Sequence, residues 1–411
     1  MHLEFSEPVL VAMGPKSREA GWGPHQFAQL TRLKDGNLLY TFILQQDSEV
    51  DYGLDEGGYL SRDNGKTWIP GRRSQYKHLY GIHLDNGETI QWIEPNSIPV
   101  DEGVTFEGEG AYTGHIERKD QYFYPTEKVK CEGLNEGWLF ERYKDGATEP
   151  VIEEATFKNW DKKVHRVARG VLCRPFPNIK HIRQAPDGTL WIPAYGIDCN
   201  PKTGELSLFS ANFLCKSTDG GHSWELVHYM SYDPEKYKEI DPRAHEREGW
   251  SENDIAFCPD GKTMVKLIRT DGLYPRTEHC RYNSSYITHS TDGGYTWEEP
   301  EIFDDRGVMP ILHTMKCGVT LAGYGRPGLF VRASFDPQCR KWEDRIEIIH
   351  SPGTPNDSES CVDVHGTCSY CDFVEIDDHT AGFAYSDFRV KDENGDMRKC
   401  LMYRTITVVE D

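Results

Sequence analysis

Four residues of this chain combine a carboxylate, a phenol and two guanidinium groups at matching distances from candidate turns. Glu252 stands eight residues before Asp260 and Tyr370 eight before Asp378, whereas Arg269 stands nine after Asp260 and Arg326 nine after Cys317. If those turns are equivalent, the four side chains gather in one place. Two guanidinium forks can hold an anion there, and a carboxylate can take the proton of a neighbouring phenol. Singly, each residue also has a plain structural use: Glu252 as a solvated strand-start residue, Tyr370 as a core aromatic, each arginine as a salt bridge between sheets. The shared register is what favours a site. His25, His78 and His181 fall near the starts of strands of the same kind, where an imidazole serves as acid, base, anion ligand or satisfied polar group.

The element that would position these residues is a hairpin that recurs along the chain, an alternating apolar strand, a two-residue turn and a second strand. Its turns are centred on Asp35, Asn86, Asp187, Asp260, Cys317 and Asp378, at spacings of 51, 101, 73, 57 and 61 residues. A propeller blade of four strands has about this length. The residues eight before each turn are Phe27, His78, Ile179, Glu252, Met309 and Tyr370, which would line a central channel. The long interval holds either an insertion, within 100–165, or a seventh, degenerate blade, and its GWLFERYKDGATEPVIEEA stretch resembles an outer hairpin. The expected fold is all-β, a six-bladed β-propeller with seven blades as the alternative, forming one domain over 1–411. The last strand, LMYRTITVV, is expected to pair with LEFSEPVLV near the start and close the ring. Helical periodicity is scarce, with DPEKYKEIDPRAHERE inviting a short helix.

A second repeat runs beside the first. The phrase Ser-x-Asp-x-Gly-x-Ser/Thr-Trp occurs at Ser61 to Trp68, Ser217 to Trp224 and Ser290 to Trp297, and a worn copy has Ser334 and Asp336 with Trp342 arriving late. Asp and Gly two residues apart build a tight turn with side-chain to backbone hydrogen bonds and a left-handed glycine, and the Trp fills an apolar slot.

Composition limits the function classes. With 67 acidic against 46 basic residues and a formal charge of −21, a nucleic-acid backbone is excluded as the main partner. No run of 18 apolar residues suggests a membrane span, and MHLEFSEPVLVAMG does not read as a signal peptide, so a cytoplasmic location is expected. The 12 cysteines are spread through strand-like segments and read as buried free thiols. Cys368-x-x-Cys371 has metal-like or redox-like spacing without a second such pair. No metal or other cofactor is expected.

These features together resemble the sialidase (neuraminidase) superfamily, whose propellers carry the same tryptophan turns, called Asp-boxes or BNR repeats. The resemblance covers most of the chain. It implies that Glu252 and Arg269 in SENDIAFCPDGKTMVKLIRT match the family's glutamate and one substrate-binding arginine. It likewise implies that Arg326 in GYGRPGLFVRASFD matches a second arginine, and Tyr370 in SYCDFVEID the nucleophile. In the family's mechanism Glu252 would take the Tyr370 proton, Tyr370 would attack the anomeric carbon, and water would release the sugar. The family's acid/base aspartate would fall among Asp47, Asp51 and Asp55, of which Asp51 is preferred. Where the family has an Arg-Ile-Pro motif this chain reads HQFAQL, with Gln26 in the place of the first arginine. The implied activity is an exo-acting glycoside hydrolase removing a terminal acidic sugar from a glycan. A propeller lyase acting on uronates and a non-catalytic glycan-binding propeller are the alternatives. Expected substrate contacts are Arg269, Arg326, His78, Gln26, His25 and His181.

Overall fold

The computed structural model describes residues 1–16, 26–43, 57–79, 81–93, 97–116, 119–133, 138–161, 164–168, 170–173, 178–179, 181–196, 200–206, 209–242, 244–272, 284–350 and 366–410. Strands dominate them, and among them no helix is long and apolar enough to cross a membrane.

Hairpin-linked antiparallel sheets follow one another along the chain. Sheet I comprises Gln26–Arg32, Leu38–Ile43, Gly57–Ser61 and Ile69–Arg72. Sheet II comprises Ile82–His83, Thr89–Ile93, Trp138–Tyr143 and Val151–Lys158. Sheet III has an interrupted first strand, Asn178–Ile179 and Arg183–Gln184, followed by Leu190–Gly196, Ala211–Ser217 and Ser223–Met230. Its last strand pairs in parallel with that of sheet II, Phe157 opposite Trp224. Sheet IV is Arg247–Phe257, Met264–Gly272, Ser285–Ser290 and Glu301–Asp304, and sheet V is Val308–Thr314, Thr320–Gly325, Leu329–Ser334 and Ile346–Ile349. Sheet VI joins the two ends of the described chain: Cys371–Asp377, Thr380–Lys391 and Met397–Val409 are completed by His2–Phe5 and Val9–Lys16, with Leu3 opposite Val408 and Val9 opposite Tyr403.

Apolar clusters fill the seams between successive sheets. Leu190, Ile192 and Trp224 meet Ile90 and Phe140 between II and III; Val265 and Leu267 meet Leu312 and Tyr324 between IV and V; Tyr40 and Leu38 meet Leu401 and Tyr403 between VI and I. Sheets packed face against face in this way are the blades of a β-propeller. Trp138–Tyr143 and Val151–Lys158 are indeed an outer hairpin, that of sheet II. The chain between Ile93 and Trp138 carries Ile98–Pro99, Ala111–Ile116 and Lys119–Pro125, which assemble with Val164–Ala168 and Val171–Cys173 into a separate five-stranded sheet.

The turn at Asp378 has the expected two residues, between Asp377 and Thr380, whereas four of the other hairpin turns are longer. Leu33 donates to the Asn37 carbonyl, Leu84 to Glu88, Ala185 to Thr189 and Met315 to Val319, so three residues stand between the paired positions rather than two. Gly36, Gly87, Gly188 and Gly318 take the left-handed position that closes each.

The tryptophan turns join the two outer strands of sheets I, III, IV and V. In the first, Ser61 Oγ donates to Asp63 at 2.8 Å and accepts from Gly65 N at 2.8 Å, Asp63 accepts from Thr67 N at 2.9 Å and from Thr67 Oγ1 at 2.6 Å, and the Trp68 indole donates to the Gly65 carbonyl at 3.0 Å. The Ser217 and Ser290 turns repeat these bonds. The glycine is there because its backbone, at φ +87°, presses on the preceding sheet: a Cβ on Gly65 would lie 2.0 Å from the Tyr403 ring. Gly65→Ala is therefore expected to cost at least about 2 kcal/mol, through both strain and overpacking. The check is the midpoint of urea unfolding, and an unchanged midpoint would show that the turn does not bear on its neighbour.

Candidate functional site

The first strand of each sheet is an edge strand, with one row of N–H groups unpaired by the ladder. Register breaks fall at the same place in three of them: between Gln26 and Gln29, between Trp250 and Asn253, and between Val308 and Ile311. Phe27 and Met309 sit within two of these breaks with φ of +54° and +42°, and Ser369, just before Tyr370, has φ +66°. Such bulges re-aim side chains and free backbone donors, and non-glycine residues held at positive φ cluster at functional sites.

Freed in this way, four of the residues eight before a turn meet at the centre. Tyr370 Oη donates to Glu252 Oε1 at 2.6 Å, while Glu252 Oε2 accepts from Arg269 at 2.6 Å and from Met309 N at 2.9 Å. The Phe27 ring stands edge-on to Tyr370, centroids 4.2 Å apart. Glu252 is 3% exposed, Arg269 5% and Tyr370 9%, so the cluster is nearly dry. Arg326 lies over the Tyr370 ring at 5.9 Å and donates to the Cys368 carbonyl at 2.9 Å. Burial holds the Tyr370 phenol well above its ordinary range and the Glu252 charge pushes it further, with Arg326 and Arg269 pulling the other way. At neutral pH the proton therefore rests on Tyr370, and Glu252 is the carboxylate placed to receive it.

A second layer lies two residues along the same strands. Arg183 binds Asp254 through Nε at 2.9 Å and through a terminal nitrogen. Asp254 also accepts from Leu312 N at 2.8 Å, and Asp372 accepts from Leu30 N at 2.9 Å and Phe373 N at 2.9 Å. Each carboxylate thus satisfies an edge-strand donor of the next sheet. Burial pushes Asp372 up to about 6, against the opposing pull of Arg183 and the two backbone donors. Beyond this layer, on the side of the hairpin turns, Arg183, Gln184, Phe257, Leu312, His313 and Thr314 line a cavity of about 580 Å³.

Of the residues expected from sequence, the structure brings together Glu252, Arg269, Arg326 and Tyr370. His78 departs from the expected alignment. Residues 73–79 form a helical turn and a 3-10 turn instead of an extended strand, which sets the His78 ring 6.5 Å from Tyr143 of sheet II. His181 is half-buried between the two short first strands of sheet III. Asp51 and His25, with Asp47 and Asp55, lie outside the described residues. Gln26 opens the first strand of sheet I opposite Ile43, and its side chain also lies outside them. Sequence reasoning missed Asp254, Asp372, Arg183 and the backbone donor of Met309. The two aspartates were within reach of it, since each stands six residues before its turn.

Among the described residues no group of three or more histidine, cysteine, aspartate or glutamate side chains is arranged to hold a metal ion. The Cys368 and Cys371 thiols are buried and free; Cys368 contacts Ser386 Oγ at 3.0 Å, and burial pushes the Cys371 thiol far up.

No protein-family model matches the sequence, and neither does any curated protein. Among solved structures, a protein of unknown function from Dyadobacter fermentans aligns over 99% of both chains with a TM-score of 0.60 at 15% identity, which shows a shared fold. The NanB sialidase of Streptococcus pneumoniae aligns over 97% of this chain and 70% of its own, with TM-score 0.45 and 11% identity. A Penicillium chrysogenum α-L-arabinanase, solved with arabinobiose, aligns over 97% and 98%, with TM-score 0.47 and 12% identity.

Proposed function

We propose that this chain is an exo-acting glycoside hydrolase of sialidase-like type, a six-bladed propeller forming one domain, which removes a terminal acidic sugar from a glycan. The observation that carries the reading is the 2.6 Å contact between Tyr370 Oη and Glu252 Oε1, inside a nearly dry pocket that also holds Arg269. A phenol suits attack on a sugar that bears its own carboxylate, because a charged nucleophile would be repelled from it. Glu252 accepts the Tyr370 proton as the phenol oxygen bonds to the anomeric carbon, and the leaving oxygen takes a proton from an acid in the role assigned to Asp51. Water then displaces Tyr370, giving a proton to the group that had protonated the leaving oxygen while Tyr370 recovers its own from Glu252. Arg269 and Arg326 hold the substrate carboxylate, Arg269 exchanging part of its bond to Glu252 for it. Two displacements at one carbon leave the anomeric configuration retained.

The test is a panel of fluorogenic glycosides of nonulosonic, related keto-sugar and uronic acids, with the first product followed by proton NMR. Release of a saturated acidic sugar with retained configuration is expected. Inversion, an unsaturated ultraviolet-absorbing product, or binding without any product would each overturn the reading.

A further inference from the structure

Across the seam between sheets IV and V two buried cysteines occupy places that the other tryptophan turns explain. In three of those turns the closing glycine presses against the preceding sheet: an added Cβ would lie 2.0 Å from the Tyr403 ring at Gly65, 2.9 Å from Ile90 at Gly221 and 2.9 Å from Leu214 at Gly294. The carbonyl of each glycine accepts the indole N–H of the turn's tryptophan, at 3.0, 3.1 and 2.9 Å. In the fourth turn Cys339 does this instead, accepting from Trp342 at 2.8 Å, and it keeps the left-handed backbone, φ +54°. A side chain therefore projects where its counterparts have none, although positive φ is unfavourable for it.

On the preceding sheet Cys258, at the hairpin turn of sheet IV, belongs to the same buried cluster. Both thiols are buried in one cluster, Cys258 3% and Cys339 0% exposed, and the two turns are tied together by Asp260 N donating to the Pro337 carbonyl at 3.0 Å. The Cys339 thiol also lies 3.2 Å from Thr320 Oγ1. Contact with Cys258 holds the Cys339 thiol below its ordinary range, and the same contact raises that of Cys258, which makes Cys339 the better nucleophile of the two.

We propose that Cys258 and Cys339 form a reversible oxidation site, closing to a disulfide that staples sheet IV to sheet V. With a peroxide as oxidant, the Cys339 thiolate attacks one peroxide oxygen, giving a sulfenic acid and one water. Cys258 sulfur then displaces the second water, so two thiols and one peroxide give one disulfide and two waters. A dithiol reductant reverses the step by exchange. The closed loop contains Arg269, Met309 and Arg326, so the staple fixes together the two sheets that supply most of the candidate site.

The test treats the full chain with hydrogen peroxide or with dithiothreitol and compares peptide maps and thermal unfolding. The expected result is a linked pair of peptides containing Cys258 and Cys339, and a midpoint about 4 °C higher in the oxidised form. Cys339→Gly restores the residue of the other turns and Cys258→Ser removes the partner; both are expected to fold and to lose the linked peptide and the shift. Oxidation of these cysteines to separate acids, linkage to other partners, or a shift that survives in Cys339→Gly would overturn the proposal.

Discussion

Replacing Tyr370 by phenylalanine is expected to lower kcat/KM on an acidic-sugar glycoside by at least about 10³-fold, with the fold and its melting temperature kept. The ring contact with Phe27 and the cation above the ring do not need the hydroxyl, so the change removes one oxygen and leaves the packing. Glu252→Gln tests the other half of the pair. Its amide oxygen can take the place of Oε2 and keep the bonds from Arg269 and Met309 N. Its amide nitrogen then faces Tyr370 and donates to the phenol oxygen, so a base has become a donor. The loss is expected to match that of Tyr370→Phe, and the double variant is expected to be no worse than either, because residues acting as one unit are not additive. Turnover near wild type in both single variants, with linear time courses on the same glycoside, would remove the pair from catalysis.

Arg183→Met is expected to give the largest loss of stability of any single change near the centre, about 3 kcal/mol at neutral pH. Among the described residues Arg183 is the one side-chain cation hydrogen-bonded to Asp254, which is 0% exposed, and its field opposes the burial that lifts Asp372 to about 6. Without it two carboxylates face each other through a dry layer. The pH sign follows from Asp372. A carboxyl whose folded-state value lies above its unfolded one binds its proton more tightly in the native state, so it adds stability as the pH falls through 6 toward 4 and costs stability above that window. The variant should therefore recover part of its deficit at pH 5, measured by urea unfolding at both pH values. A deficit independent of pH would locate the effect in packing rather than charge.

The scaffold was largely legible because its signals are short and local. Ser61, Asp63, Gly65 and Trp68 satisfy one another within eight residues, so the phrase carries its own structure wherever it occurs. The site was legible for a different reason. Glu252 and Tyr370 stand at one distance from equivalent turns, and equal distance in like hairpins becomes proximity around a ring. At His78 the segment before the turn coils into helix and the register no longer transfers. Met309 contributes a backbone N–H freed by a left-handed residue, a group that any amino acid carries, so its side chain gives no sign of it. Arg183 was hidden by the break in the first strand of sheet III, which blurs the count from its turn. Asp254 and Asp372 stand six residues before Asp260 and Asp378, an equal distance that the sequence does carry.

The pairing of His2–Phe5 and Val9–Lys16 with Met397–Val409 has a kinetic side. The other sheets pair strands much nearer to one another in the chain, but this one requires strands separated by nearly the whole chain, the kind of distant contact that slows folding. Until the ends meet, Met397–Val409 is a long, bare edge ready to pair with another molecule. Arrival of the first sixteen residues is therefore the step at which an aggregation-prone ribbon becomes a closed ring.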